Sequence, residues 1–230
     1  MGTRVLHTAA LVLFILCLPV MLFTASVSTA MNCRWLYDYD FHKYDIASVT
    51  GLAPSELKKA AEGLIHYFNS GEEYVNIVVI KDGQPFTLFN EREVQHLKDV
   101  KGIFRLVYKL LIGTGTYALL YASLMLALRQ DRRRLAGGLL YGSGLSILLM
   151  IILGVLAITD FHWLFWQFHL ASFSNDMWLL DPTRDYLIML FPEGFWMDAA
   201  IICSAFKIFL ALILGGVGWW ILKKNPLKSA

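Results

Sequence analysis

Residues 135–159 read LAGGLLYGSGLSILLMIILGVLAIT and contain no charged side chain. The hydrocarbon core of a bilayer is about 30 Å thick, and an α-helix of about 20 apolar residues can span it. Three further runs have the same character: residues 8–30 and 110–128 carry no charge, and residues 199–222 carry one, Lys207. The sequence therefore predicts an α-helical integral membrane protein with four transmembrane helices.

The composition of the chain supports this fold class. Of the 230 residues, 57% are hydrophobic and 17% are charged, whereas a soluble domain carries about 25% charged residues. The net charge of +2 is too small for a nucleic-acid-binding surface, so no nucleic-acid partner is expected. We expect a single membrane domain over residues 1–230, with transmembrane helices over about 8–30, 103–128, 135–159 and 199–222.

The first hydrophobic run allows two interpretations. Arg4 before it and Ser28-Thr29-Ala30 at its end also fit a secretory signal peptide that is cleaved after small residues. However, residues 8–30 are longer than the apolar region of about 7–15 residues that signal peptides contain. We therefore interpret this run as a retained membrane helix.

The distribution of basic residues predicts the orientation in the membrane. Lysines and arginines concentrate in three segments, which are the start at Arg4, the loop with Arg129, Arg132, Arg133 and Arg134, and the tail with Lys223, Lys224 and Lys228. Cytoplasmic segments are rich in such residues, so we predict that both termini are cytoplasmic. Residues 31–102 and 160–198 are then extracytoplasmic, and in both segments acidic residues outnumber basic ones.

Residues 31–102 have the pattern of a small α+β cap. Ser55 is a suitable N-cap for a helix that continues to about Asn69 with apolar residues at helical spacing. Two apolar stretches flank the pair Asp82-Gly83, which is typical of a β-hairpin turn.

The stretch FNEREVQHLKDV, residues 89–100, predicts a helix that carries His96 and continues into the second membrane run. Asn90 and Glu93 have the spacing of a capping box. Glu93 and Asp99 lie three residues before and after His96, so either carboxylate could orient the imidazole ring and leave its other nitrogen free as a base. A histidine on the helix surface with ordinary ionic neighbours fits the same spacing.

Residues 160–198 form an aromatic-rich segment without a continuous helical or strand pattern, and we expect it to be re-entrant or interfacial. His169 lies among apolar residues there, which favours the neutral ring that a general base needs; a buried structural histidine fits equally well. His162 lies between Phe161 and Trp163 and is interpreted as an interfacial anchor.

Metal binding is a weaker interpretation of this segment. His162 and His169 could bind a metal with Asp160 or Asp176, but their spacing matches no zinc motif. We therefore expect no metal and no cofactor.

Three cationic residues are candidates for contact with the substrate or with a developing oxyanion. Lys207 lies about nine residues inside the fourth run, about 13 Å deep, where a charge should face the helix bundle or snorkel to the surface. Arg105 and Lys109 lie four residues apart at the outer end of the second run. Together they could line an electropositive cavity, although snorkelling would also explain them.

The C-terminal half contains three successive motifs, which are F-x-x-F-H at 165–169, F-x-N-D-x-W at 173–178 and L-D-P-x-x-D-x-L-I-x-L-F-P-E at 180–193. With residues 89–100 and the four-helix layout, they resemble the lipoprotein intramolecular transacylase family along essentially the whole chain. The resemblance implies that His96 and His169 are the catalytic histidines. We expect Glu93, Asp99 and Asp176 to support them.

The resemblance also implies a reaction and a location. The substrate would be a diacylglyceryl-modified bacterial lipoprotein in the phospholipid membrane, whose sn-2 acyl chain moves to the α-amine of its N-terminal cysteine to give the lyso form. The enzyme would be a multi-pass protein of the bacterial plasma membrane with its active site at the extracytoplasmic face. The residues alone leave two alternatives, a metal-dependent membrane lipid hydrolase and a non-enzymatic lipid- or haem-binding membrane protein.

Overall fold

The computed structural model describes residues 2–128 and 130–224. The helices before the sheet are α1 (Gly2–Asn32), α2 (Arg34–Lys43), α3 (Ile46–Thr50) and α4 (Pro54–Asn69). The strands are β1 (Val78–Lys81) and β2 (Gln84–Thr87). The later helices are α5 (Glu91–Ser123), directly followed by a π-helical turn (Leu124–Leu128), then α6 (Arg132–Thr159), α7 (Phe161–Ser172), α8 (Tyr186–Leu190) and α9 (Glu193–Lys224).

Among the described residues, four helical segments are long and apolar enough to cross a membrane, namely Arg4–Asn32, Glu91–Leu128, Arg132–Thr159 and Glu193–Lys224. With the two-stranded sheet, they confirm the predicted class of a four-helix membrane protein with a small α+β region. Arg129 and Lys228, which contributed to the predicted orientation, lie outside the described residues. The sidedness of the chain therefore stays a prediction.

The chain divides into two compact units. The bundle unit comprises residues 1–27, 107–155 and 203–230, and the cap unit comprises residues 28–106 and 156–202. Both candidate catalytic histidines belong to the cap unit, so its internal packing determines the geometry of the site.

In the bundle unit, glycines allow α6 to approach α1 closely. A Cβ atom added at Gly142 would lie 2.5 Å from Leu18 Cδ1, and one added at Gly138 would lie 2.8 Å from Phe14 Cδ1. The Phe14 ring also stacks on Tyr121 of α5, with 4.5 Å between ring centroids. Small residues at such contacts let membrane helices pack backbone to backbone.

The cap unit contains the predicted hairpin with shorter strands than the sequence suggested. β1 and β2 are antiparallel, with Val79 opposite Phe86. Asp82 and Gly83 both have positive φ angles, 52° and 75°, as the tight two-residue turn of a hairpin requires.

The N-terminus of α5 has the predicted cap, whereas the N-cap residue of α4 differs from the predicted one. The Asn90 N–H donates to Glu93 Oε2 (2.8 Å) and the Glu93 N–H donates to Asn90 Oδ1 (3.1 Å), which is a reciprocal capping box. The prediction that Ser55 caps α4 is wrong, because the N-cap is Ala53 and Pro54 is the first helical residue. Proline is favoured there because that position needs no N–H donor.

Residues 160–198 contain more regular structure than the sequence indicated. The Asp160 carboxylate accepts a hydrogen bond from the Trp163 N–H (2.8 Å) and caps α7. Further along, Leu190 of α8 is fully buried in the same hydrophobic core as Ile46 and Tyr67. The short helix α8 therefore anchors this segment in the core of the cap unit.

Candidate active site

Helices α5 and α7 bring His96 and His169 together. Their ring centroids are 6.2 Å apart, and the two residues are only 7% and 8% exposed. The Phe173 ring contacts both, at centroid distances of 4.8 Å from His96 and 5.6 Å from His169. The two histidines that the sequence singled out thus form one buried, aromatic-lined pair.

The His169 ring is fixed by its own helix and by aromatic neighbours. Its Nδ1 atom lies 2.7 Å from the Phe165 carbonyl oxygen; a carbonyl only accepts, so Nδ1 is assigned the proton and Nε2 the lone pair of the neutral ring. The rings of Phe165 and Trp178 lie 4.3 and 5.0 Å away. Burial lowers the pKa of His169, and the hydrogen bond to Phe165 opposes this only in part. His169 is therefore a neutral imidazole near pH 7.

The environment of His96 differs from the one expected. The Glu93 carboxylate caps α5 and accepts a hydrogen bond from the Leu187 N–H (2.6 Å), so it holds α8 against α5 instead of orienting the imidazole. Asp99 Oδ2 accepts a hydrogen bond from Asn175 Nδ2 (2.9 Å). Nδ1 of His96 is buried and makes no hydrogen bond with any described residue. Among the described residues, the two acidic neighbours thus make hydrogen bonds to the surrounding structure and none to the His96 ring.

Residues 173–178, which we call the cover segment, lie beside the histidine pair. Arg92 donates a hydrogen bond from Nη2 to the Asp176 carbonyl oxygen. The Asp176 side chain, expected to support catalysis, is exposed, and the contribution of this residue to the site is its main-chain carbonyl. The cover segment is therefore attached to α5 one helical turn before His96.

Sequence reasoning missed Arg92 and Asn175 as site residues. Both occur in the motifs at residues 89–100 and 173–178. Arg92 precedes His96 by four residues and so shares its helix face, a signal that was available. The pairing of Asn175 with Asp99 joins distant parts of the chain, and nothing in the sequence indicated it.

His162 lies at the surface of the cap unit. Its side chain is 72% exposed and its Nδ1 lies 2.8 Å from Glu193 Oε2, and this hydrogen bond raises the pKa of His162. Metal ligation by His162, His169, Asp160 or Asp176 finds no geometric support in the described part of the chain, where no three His, Cys, Asp or Glu side chains could hold an ion.

A cavity of about 490 Å³ in the cap unit lies next to the histidine pair, with Phe173 as a shared wall. Arg105 and Asp99 also line it, and Arg105 is exposed. Lys101, another lining residue, is buried and donates a hydrogen bond from Nζ to the Glu72 carbonyl oxygen (2.7 Å). The cavity therefore has both basic and acidic groups on its walls, together with apolar residues.

The other two candidate cations belong to the bundle unit. Lys109 is exposed on α5. Lys207 on α9 is 3% exposed, and its Nζ lies 5.3 Å from the centroid of the Phe23 ring on α1. Lys207 is thus packed between helices, as expected of a charged residue at membrane depth that faces the protein.

The fold and the site together define an α-helical integral membrane protein with a buried histidine pair in its cap unit. A model of the family "lipoprotein intramolecular transacylase Lit" matches residues 12–196. The chain therefore belongs to the lipoprotein intramolecular transacylase family, as its motifs predicted.

Solved structures share the fold of this chain, and a related sequence aligns with most of it. The fold is similar to the membrane-integral lipoprotein intramolecular transacylase Lit from Bacillus cereus, with a TM-score of 0.82 and 23% identity over 98% of this chain and 99% of that chain. A variant of the B. cereus protein with one histidine replaced by alanine gives a TM-score of 0.78 at 21% identity, with 97% of each chain covered. An uncharacterized protein from Aquifex aeolicus is 26% identical over 161 residues, 70% of this chain and 68% of that protein.

Proposed function

We propose that this protein transfers the sn-2 acyl chain of a diacylglyceryl-cysteine lipoprotein to the α-amine of the same cysteine, with His169 and His96 as the catalytic acid–base pair. Family membership supports the lipoprotein substrate and the intramolecular transfer. The main support for catalysis by the two histidines is the buried pair itself. Its ring centroids are 6.2 Å apart, and Nδ1 of His169 is hydrogen-bonded to the Phe165 carbonyl oxygen.

The first step needs a neutral base, and the imidazole of His169 is neutral. The substrate amine attacks the ester carbonyl carbon, and a new C–N bond forms as the nitrogen becomes positively charged. Nε2 of the neutral His169 ring accepts a proton from this nitrogen. The resulting imidazolium can protonate the glycerol oxygen as the C–O bond breaks, so the proton passes from nitrogen to oxygen and no net proton is consumed.

His96 lies close enough to share in this transfer but is not suited to carry a second positive charge. Two imidazolium rings 6.2 Å apart would repel each other by about 3 kcal/mol at an effective dielectric constant of about 20. One proton shared between the two rings is therefore favoured over two. We assign to His96 either a part in the proton transfer or polarisation of the ester carbonyl.

The remaining requirements are orientation of the substrate and stabilisation of the tetrahedral oxyanion. Because amine and ester belong to one molecule, holding them in contact supplies a large part of the rate enhancement, and no acyl-enzyme nucleophile is needed. Of the three cationic candidates, Arg105 lines the cavity next to the histidine pair, so Arg105 is our candidate for stabilising the oxyanion. The extracytoplasmic face is the proposed side of the reaction, because a mature lipoprotein lies in the outer leaflet.

The chemical structure of the lipoprotein product tests the proposal. The protein is expressed in bacteria whose lipoproteins carry the diacylglyceryl group and a free α-amine, and the N-terminal peptide of one lipoprotein is analysed by mass spectrometry. We expect an N-acyl, S-monoacylglyceryl peptide of unchanged total mass, with the fragment ions showing one acyl chain on nitrogen. Loss of one acyl chain as free fatty acid, abolished by a chelator, would instead establish the metal-dependent hydrolase.

A further inference from the structure

We infer that Arg92 and Asn175 are positioning residues for the proposed reaction, which fasten the cover segment to α5 on both sides of His96 and thereby fix both imidazole rings. The inference rests on the proposed function, because it assigns these residues a role in orienting the proposed acid–base pair.

The first attachment lies on the N-terminal side of His96. Arg92 donates from Nη2 to the Asp176 carbonyl oxygen, and its Nε atom is buried without a hydrogen-bond partner among the described residues. A guanidinium group with a buried, unpaired N–H is costly for a fold that needs it only for packing. The Nη2 hydrogen bond is the contact through which this guanidinium group holds the cover segment next to the histidine pair.

The second attachment lies on the C-terminal side of His96. Asn175 donates from Nδ2 to Asp99 Oδ2 (2.9 Å), while its own Oδ1 accepts the Met177 N–H (3.0 Å). One Asn175 side chain thus fixes the local turn and ties that turn to α5. Arg92 and Asp99 lie four residues before and three residues after His96, so the helical repeat places both on its face of α5.

The cover segment acts on the rings through its aromatic residues. Phe173 packs against His96 and His169, and Trp178 lies 5.0 Å from His169 between ring centroids. Nδ1 of His96 makes no hydrogen bond with a described residue, so the cover segment restrains this ring through the packing of Phe173 against it. Release of the cover segment would therefore loosen both rings without removing either histidine.

A reciprocal exchange at the second attachment provides the sharpest test. Asn175→Asp keeps the acceptor for the Met177 N–H but places two carboxylates against each other. Adding Asp99→Asn restores one hydrogen bond with donor and acceptor exchanged. With purified full-length protein and a diacylglyceryl lipopeptide, we expect Asn175→Asp to lower kcat by about 10- to 100-fold, because small misplacements of reacting groups have effects of this size, with a smaller change in KM. The double variant should regain most of kcat.

The first attachment is tested with Arg92→Met, which keeps the aliphatic chain and removes the donors. We expect a similar loss of kcat, and faster amide hydrogen exchange over residues 173–178 measured by mass spectrometry. Arg184→Met is the matched control, because Arg184 is an exposed arginine with ion pairs of 3.6 and 3.8 Å to acids in its own turn, and it should leave both readouts unchanged.

Two outcomes overturn the inference. One is a wild-type kcat in Arg92→Met and Asn175→Asp; the other is a double variant no more active than Asn175→Asp although all variants unfold at the wild-type temperature. Failure of the proposed function is recognised separately, because the wild-type protein would then form no N-acyl product or His169→Ala would be fully active. Hydrogen exchange would still report whether Arg92 holds the cover segment.

Discussion

Nδ1 of His169 donates a hydrogen bond to the Phe165 carbonyl oxygen, 2.7 Å away and one helical turn earlier in α7. The bond fixes both the rotation of the ring and its tautomer, so that Nε2 is the basic nitrogen. A helix of aromatic residues thus presents one defined base, and the rest of the cap unit places His96 beside it.

His96, His162 and His169 should differ in their contribution to activity. We expect His169→Ala to form no lyso-form lipoprotein while remaining folded in the membrane. His96→Ala should lose at least about 10²-fold in rate, as is typical for removal of an acid–base group. Lipopeptide turnover, followed by mass spectrometry, measures all three variants under one set of conditions.

His162→Ala is the matched control for these two variants. Its side chain is exposed and bonded to Glu193, so its loss should leave most of the activity. An inactive His162→Ala protein together with an active His169→Ala protein would show that the catalytic residues are wrongly assigned, even though the family is right.

Activity should respond to pH through two groups with different pKa values. Burial lowers the pKa of His169 below its ordinary value, which is about 6.5, so the basic form is lost only as the pH falls below that value. The substrate α-amine, with an ordinary pKa of about 7.7–8.0, must also be unprotonated. We therefore expect log(kcat/KM) to rise with slope one between about pH 6.5 and 7.5 and with a steeper slope at lower pH.

The measurement is kcat/KM of the purified protein from pH 5 to 9, a range chosen around the ordinary values for both groups. An N-methylated lipopeptide amine of higher pKa serves as a control, because it should move only the upper break. A lower break that lies above pH 6.5 and is insensitive to the substrate would contradict a neutral, buried His169.

Much of the fold was predictable because its signals are local or repetitive. Residues 135–159 and the other apolar runs reveal membrane helices by length alone, and Asn90 and Glu93 form their capping box within one turn. The helix α7 was not predicted, since its aromatic residues cover all sides and leave no helical stripe. Ser55 was wrongly chosen as a cap because Pro54 dictates the helix start.

The site was predictable only in part. His96 and His169 could be selected from their surroundings and from the family motifs, but their 6.2 Å separation depends on tertiary packing. The spacing of Glu93 and His96 suggested a contact, yet the carboxylate turns to the Leu187 N–H, a donor 94 residues away in sequence. Hydrogen bonds between residues so far apart in the sequence cannot be predicted from a local pattern.

Both termini should lie in the cytoplasm. If each of the four apolar helices crosses the membrane once, the basic segments at Arg4, at Arg132–Arg134 and at Lys223–Lys224 fall on one side. Cytoplasmic segments favour such residues. A reporter active only in the cytoplasm should be active after Ala230 and inactive within residues 50–90, and an alkaline phosphatase fusion should give the opposite pattern. An extracytoplasmic C-terminus would refute the predicted orientation.

The close approach of α6 to α1 makes Gly142 and Gly144 a matched pair for a stability test. A Cβ atom at Gly142 would lie 2.5 Å from Leu18 Cδ1 and 3.2 Å from the Ile15 carbonyl oxygen, whereas one at Gly144 meets nothing within 4 Å. Gly142→Ala should therefore lower the free energy of unfolding by about 1–3 kcal/mol through overpacking. Gly144→Ala should be neutral or stabilising by up to about 1 kcal/mol, because alanine is the better helix former. Thermal unfolding of both purified variants in the same detergent compares them directly, and equal unfolding temperatures would show that the backbones of α1 and α6 do not depend on a glycine at this contact.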